Sequence, residues 1–329
     1  MSHVGGSHLK AGACLPSGPY RIYTARAGML ASLLALAGVL VLLTGCGISP
    51  TSSASGGKLQ VVTAENFWGS IAAQVGGDHV HVTSIIANPN TDPHDYDSTP
   101  ADARTVAGAN YVILNGAGYD AWGQQLLDAN PVSGRVELDI GKLLGKQNGD
   151  NPHFWYNPDD VTQVANQITA DLKHLDAADA SYFDQQNQQF LTTGLQTYHH
   201  LIDTIKQKYQ GTPVGATENI FAYQAPALGL DLISPPGFMK AVSEGDEPTA
   251  EDKATFDQQV THKFIKVFIY NKQNATPDTD ALKAKAQQEG IPIVAITETL
   301  DPATDSFQAW QSAQLQALEQ ALAQATERR

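Results

Sequence analysis

The chain has only two cysteines in 329 residues, Cys14 and Cys46, and they form no C-x-x-C pair. Zinc-ribbon and thioredoxin-type chemistry are therefore excluded. It also lacks a glycine-rich phosphate loop, an H-E-x-x-H helix and a G-x-S-x-G elbow, the signatures of P-loop enzymes, zincins and α/β-hydrolases. Positive charge is scarce: 20 Lys and Arg stand against 34 Asp and Glu, for a net charge of −14. Such a surface repels nucleic acid and attracts cations. Long apolar runs are almost absent too. The exception is MLASLLALAGVLVLL (29–43), apolar but for Ser32 and Gly38. It is short of the about 20 residues that span a membrane and suits the apolar stretch of a signal peptide.

Arg21 and Arg26 precede that run, and Leu43-Thr44-Gly45-Cys46 follows it, which looks like a bacterial lipobox. Residues 1–45 are therefore expected to be a lipoprotein signal peptide, with Cys46 becoming the lipidated N-terminus. The first 28 residues are long for a positive leader segment, and a start at Met29 also fits. Residues 46–58, rich in Ser and Gly, read as a flexible tether. Lys10, Arg21 and Arg26 are the only charged residues of the leader, so the rest of the chain carries three fewer positive charges than the whole, that is −17. With Cys14 removed and Cys46 acylated, no thiol remains, and a metal site must use nitrogen and oxygen.

The body alternates short apolar runs with helical stretches, the pattern of α/β lobes with mainly parallel sheets. Strands are predicted at 59–63, 79–86, 111–115 and 135–140, with helices at 67–75 and 121–129. After Asn157-Pro158, the residues Val161, Val164, Ala165, Ile168, Leu172 and Leu175 form a helical apolar stripe. A second helix is predicted over 178–209, about 45 Å long at 1.5 Å per residue, ending at Gly211-Thr212-Pro213. Strands at 214–217, 230–233, 265–270 and 292–297 and helices at 250–262, 278–288 and 306–323 complete the pattern. The expected organisation is a first lobe (59–177), a long rigid linking helix (178–210) and a second lobe (211–329), with a ligand cleft at the carboxyl ends of the strands.

Two segments carry the chemistry, TDPHDYDSTP (91–100) and NPHFWYNPDD (151–160). Each holds a histidine directly after a proline, His94 and His153, with Tyr96 or Tyr156 close by. A proline-stiffened loop can keep a neutral imidazole in place for a metal. Two β-rich runs then end in Thr-Glu, placing Glu218 and Glu298 just after strands. Two imidazoles and two carboxylates between two lobes read as a four-ligand metal site. Glu218 also fits a helix N-terminal carboxylate, and Glu298 a solvated loop acid. Asp301, Glu244, Asp246 and Glu247 compete for the ligand role. His79 and His81 are expected to share one exposed strand face, and His174 and His262 to lie on the surface.

These blocks together resemble the metal-binding receptors of ABC importers for zinc and manganese. TDPHDYDSTPAD with NGAGYDAW resembles the family's first ligand block, NPHFWYNPDDV the second, ATENIFAYQAPALGLDLISP the third, and VAITETLDP with the closing FQAWQSAQLQALEQAL the fourth. The resemblance spans nearly the whole body. It implies His94, His153, Glu218 and Glu298 as ligands, two per lobe, and one divalent ion, manganese or zinc, as cargo. It also implies an ABC permease and its ATPase as partners, a lipid-anchored monomer on the outer face of the cell membrane, and no catalysis. Many zinc members carry a third histidine where Glu218 stands and a histidine-rich loop in the first lobe. Here GKLLGKQNGDNP contains no histidine, and two carboxylates suit manganese. A metal-binding surface adhesin and a metal-dependent hydrolase are the competing readings. The hydrolase needs an open coordination position, which four protein ligands would close.

Overall fold

The computed structural model describes residues 57–91, 93 and 96–327. The leader, Cys46, most of the tether and His94 lie outside the described residues. In the first lobe β1 (Leu59–Glu65) leads to α1 (Asn66–Gly76), β2 (Val80–Ile86), α2 (Pro100–Ala107) and β3 (Tyr111–Leu114). These are followed by α3 (Ala121–Ala129), β4 (Val136–Asp139) and the one-turn α4 (Ile140–Leu143). After a 3-10 turn at Phe154–Tyr156 comes α5 (Pro158–Leu175). Then α6 (Ala180–Gln189) and α7 (Gln196–Tyr209) lead across to the second lobe. That lobe holds β5 (Pro213–Ala216), α8 (Gln224–Ala227), β6 (Asp231–Leu232), α9 (Pro236–Ser243) and α10 (Ala250–Thr261). It closes with β7 (Val267–Asn271), α11 (Pro277–Gln288), β8 (Ile293–Ile296) and α12 (Phe307–Glu327).

Each lobe has one four-stranded sheet, ordered β2-β1-β3-β4 and β6-β5-β7-β8, and every pairing is parallel. The two sheets thus share one topology. Parallel strands are covered on both faces, so they read as unbroken apolar runs. All four residues of β3, Tyr-Val-Ile-Leu, are buried accordingly. Local signals set the helix starts. Thr99 and Asp102 form a capping box around Pro100 at the head of α2. Asn157 accepts from the Asp159 N–H at the head of α5, with Asp159 and Asp160 in its first turn and Lys173 and His174 in its last. The stripe predicted for α5 is fully buried from Val161 to Leu172. No helix among the described residues is long and apolar enough to cross a membrane.

The outer face of each sheet has its own small core. Val62, Val112 and Leu127 belong to the first, and Phe256, Phe268 and Leu282 to the second. The large core is shared. It runs from Phe67, Trp68 and Trp155 through Ile168 and Tyr198 to Ile269, Trp310 and Leu318, without a break between lobes. Both α7 and α1 pack on α12. Hydrogen bonds add to this fusion: Phe307 N–H to Ser70 Oγ (2.9 Å) and Leu300 N–H to Asn66 Oδ1 (3.1 Å) both cross between lobes.

The linking segment differs from the uninterrupted helix predicted at 178–209. A 3-10 turn at Ala177–Asp179 starts it, and a π-helical turn at Phe190–Gly194 separates α6 from α7. Leu195 N–H reaches back five residues to the Phe190 carbonyl at 2.9 Å. The sequence there is Phe-Leu-Thr-Thr-Gly, and β-branched Thr and Gly are weak helix formers, so the ladder can widen at that point. Periodicity also missed α2 and α9, which are too short for a clear stripe.

Candidate metal centre

The carboxyl ends of both sheets face the junction between the lobes. His153 enters it from the first lobe, at the head of the Phe154–Tyr156 turn. Glu218 follows β5 and Glu298 follows β8. All three are fully buried. One nitrogen of His153 and one oxygen from each glutamate lie within 4.8 Å of one another. Buried like charges at this spacing repel, and a divalent cation between them offsets the repulsion.

Neighbouring groups hold each of the three. Asn151 Oδ1 accepts from His153 at both the backbone N–H (3.1 Å) and ring Nδ1 (2.7 Å). Asn151 Nδ2 itself donates to the Asn219 carbonyl at 2.7 Å, which leaves Oδ1 as the acceptor. His153 is therefore the Nδ1–H tautomer and presents Nε2 as its lone-pair nitrogen. Asn271 Nδ2 bridges the carboxylates, donating to Glu298 Oε1 at 2.7 Å and Glu218 Oε2 at 3.2 Å. Tyr119 O–H donates to Glu298 Oε2 at 2.5 Å. Gln273 Oε1 accepts the backbone N–H groups of Glu298 (2.6 Å) and Thr299 (3.0 Å), which fixes the loop after β8.

Tyr119 is delivered by a tight turn after β3. Gly116, Ala117 and Gly118 all have positive φ, at 75°, 55° and 91°. Asp120 closes the turn by accepting from the Asn115 N–H (2.6 Å) and the Gly116 N–H (2.9 Å). Burial lifts the Asp120 carboxyl to about 7 against the lowering effect of those two bonds, with a smaller push from Asp139. A cavity of about 400 Å³ opens between the lobes, lined by Tyr119, Asn151, Pro152, Asn219 and Ser243 among others.

The four residues singled out in the sequence fare differently. His153, Glu218 and Glu298 come together, and His94 lies outside the described residues. Glu218 does sit at a helical N-terminus, whereas Glu298 is not a solvated loop acid. Glu218 stands at the head of the 3-10 turn Asn219–Ala222 but makes no side-chain capping bond. Glu298 is buried, whereas Glu244, Asp246 and Glu247 are exposed. Asp301 pairs with Lys272 and Glu244 with Lys240. Tyr96 donates to Asp102 at 2.8 Å, which ties its loop to the α2 capping box. Burial, then that bond, push its phenol up to about 12. Tyr156 donates to the Thr297 carbonyl (2.8 Å), next to Glu298.

His79 and His81 do not share a strand. His79 ends a 3-10 turn before β2 and pairs with Asp179 at 2.9 Å. His79, Asp176 and Asp179 form a second, half-exposed cluster, in which the imidazole also lies against the Tyr182 ring, 4.4 Å between centroids. Sequence reasoning missed Tyr119, Asn151, Asn271 and Gln273. Tyr119 lies inside the NGAGYDAW block, and Asn271 directly follows the apolar run IKVFIY. Only a fold could connect them to the glutamates.

The chain is similar to known metal-binding proteins in sequence and fold. The curated relatives include the manganese ABC transporter substrate-binding lipoprotein PsaA of Streptococcus mitis, 25% identical over 289 residues, covering 81% of this chain and 88% of the relative. The manganese-binding lipoprotein MntA of Halalkalibacterium halodurans is 26% identical over 202 residues, covering 59% and 66%. A manganese-bound serine-to-alanine variant of the periplasmic metal-binding protein of Candidatus Liberibacter asiaticus shares the fold. Its TM-score is 0.69 at 15% identity, covering 80% of this chain and 100% of that one. A crystal structure of ZnuA matches with a TM-score of 0.65 at 22% identity, covering 82% and 99%. The profile of the ZnuA family, described as zinc-uptake complex component A, periplasmic, matches residues 61–321, and this chain belongs to that family.

Proposed function

We propose that this protein is an extracytoplasmic receptor that binds one divalent transition metal, manganese or zinc, and delivers it to the permease and ATPase of an ABC importer. The convergence of His153, Glu218 and Glu298 at one buried point, donor atoms within 4.8 Å, carries this reading. His94 is the fourth ligand by its Pro-His frame. Cys46 is the lipid anchor, and residues 59–177, 178–210 and 211–329 are first lobe, link and second lobe. The chain works as a monomer on the outer face of the cell membrane and is not an enzyme, in keeping with a solute-binding family. An anionic field draws the cation in. The ion sheds water and is held by two neutral imidazoles and two carboxylates, one lobe contributing the nitrogens and the other the oxygens. Two carboxylates make the set harder than a histidine-rich one and favour manganese as cargo. Because one core runs through both lobes, capture involves a small shear rather than a wide hinge. Release falls to the permease.

The test is thermal unfolding of the full chain in detergent, stripped with chelator and titrated with manganese or zinc, beside His94→Ala and His153→Ala. The expected result is a metal-dependent rise in melting temperature for the wild type and little or none for either variant. A wild type that responds to neither metal overturns the proposal.

A further inference from the structure

The two lobes repeat more than their strand order. β1 and β5 occupy the same place in their sheets, second in order and flanked by the second and third strands of each lobe. β1 ends in Thr63-Ala64-Glu65 and is followed by Asn66. β5 runs into Ala216-Thr217-Glu218 and Asn219. Both asparagines tie across the junction. Asn66 Oδ1 accepts from Leu300 N–H, two residues past Glu298. The Asn219 carbonyl accepts from Asn151, two residues before His153. Glu65 is thus the first lobe's counterpart of Glu218. The third strands match as well, with Asn115 after β3 answering Asn271 at the end of β7.

Glu65 is fully buried. Neither of its carboxyl oxygens has a hydrogen-bond partner. A buried carboxyl without a donor is costly and calls for a ligand or a role. Burial above all, then the charge of Asp120 and more weakly that of Glu298, push its carboxyl well above the ordinary range, partly offset by its own backbone N–H. Glu65 ends β1, and the adjacent Asn66 bonds Leu300 two residues past Glu298, so Glu65 stands at the same lobe junction as the metal centre. It stands outside the group of donors that meet within 4.8 Å, however, which places it beyond direct ligation of the same ion. The group that fits such an acceptor is a water on the metal. Zinc held by four protein ligands is tetrahedral and keeps no water. Manganese prefers six oxygen-rich positions and keeps water in the remaining ones.

We propose that Glu65 is a specificity-determining residue of the metal centre, accepting a hydrogen bond from a water on the bound ion and so favouring manganese over zinc. This rests on the receptor reading above. Manganese and zinc affinities are measured by chelator competition on the full chain for wild type, Glu65→Gln and Glu65→Asp. Glu65→Gln is expected to lose about tenfold in manganese affinity and less than about threefold in zinc affinity, the size of one charged hydrogen bond. Glu65→Asp should recover part of the manganese loss. Water-proton relaxation of the wild-type manganese complex should report an exchangeable water on the ion, a readout that a purely structural role would not require. Equal losses for both metals, no loss for either, or a manganese complex without water would overturn the inference while leaving the receptor reading intact. A wild type that binds neither metal would overturn both.

Discussion

Tyr119 of the first lobe donates to Glu298 of the second at 2.5 Å, so the loop after β3 fixes a carboxylate that belongs to the other sheet. The bond acts at once on the site and on the lobe junction. Tyr119→Phe keeps the ring and removes the donor. Hydrogen bonds to charged groups contribute about 1.5–3 kcal/mol. Metal affinity should therefore fall about tenfold to a hundredfold. Chelator competition measures it, and an unchanged affinity would show that Asn271 alone suffices to hold Glu298.

Asn151 fixes the His153 tautomer and also joins the lobes, because it bonds Asn219 and its carbonyl accepts from Tyr223 at 3.0 Å. Asn151→Ala should weaken metal binding about 10- to 100-fold, as outer-shell losses do, and lower the melting temperature of the chelated protein. Asn151→Asp keeps the acceptor and should bind more tightly than the alanine variant. If the two variants bind alike, orientation of the imidazole does not depend on this bond.

Gly116 has φ of 75°, and a Cβ there would come within 2.1 Å of Asp139 Oδ1 and 3.1 Å of the Gly141 nitrogen. Gly116→Ala combines left-handed strain with a clash beside backbone. It should cost about 2 kcal/mol or more, a fall of about 4–8 °C in a domain of this size. Because the turn delivers Tyr119, metal affinity should drop too. A melting curve superimposable on wild type would refute the strain argument.

Asp120, at about 7, and Glu65, held well above the ordinary range, both have raised carboxyls in the fold. Raised acids favour the neutral form in the native state. Their stabilising contribution is complete below the unfolded value of about 4 and is lost as pH rises through the folded value. For Asp120 that window runs from about pH 4 to 7. The chelated protein should therefore lose stability from Asp120 as pH rises from about 4 to 7, and from Glu65 as pH rises above the ordinary carboxylate range. Glu65→Gln should show a smaller drop in melting temperature with rising pH than wild type. Equal drops would mean that Glu65 ionises without cost. Metal affinity should move oppositely, rising with pH as the imidazoles lose their protons.

Much of this was legible in the sequence because it depends on local pattern. Unbroken apolar runs such as Tyr111–Leu114 announce buried parallel strands, and the stripe on α5 announces a covered helix face. Pro-His and strand-Thr-Glu segments marked His153, Glu218 and Glu298 because a ligand needs a stiff local frame. The π turn at Phe190–Gly194 was not legible. A helical stripe survives one widened turn, so periodicity alone does not reveal the break.

The sequence by itself determined the two α/β lobes, the residue types of the centre and the acidity that draws in a cation, since each follows from composition or short-range spacing. Only the tertiary structure decided which acids meet. Glu298 lies near Asp301 in the chain, but burial separates them. Tyr119, Asn151 and Asn271 gained their roles from partners brought together across strands and lobes. Glu65, at the far end of the chain from Glu298, became a neighbour in charge only when both sheets turned their carboxyl ends toward one junction. Long-range convergence depends on the register and packing of whole lobes, which no local window contains.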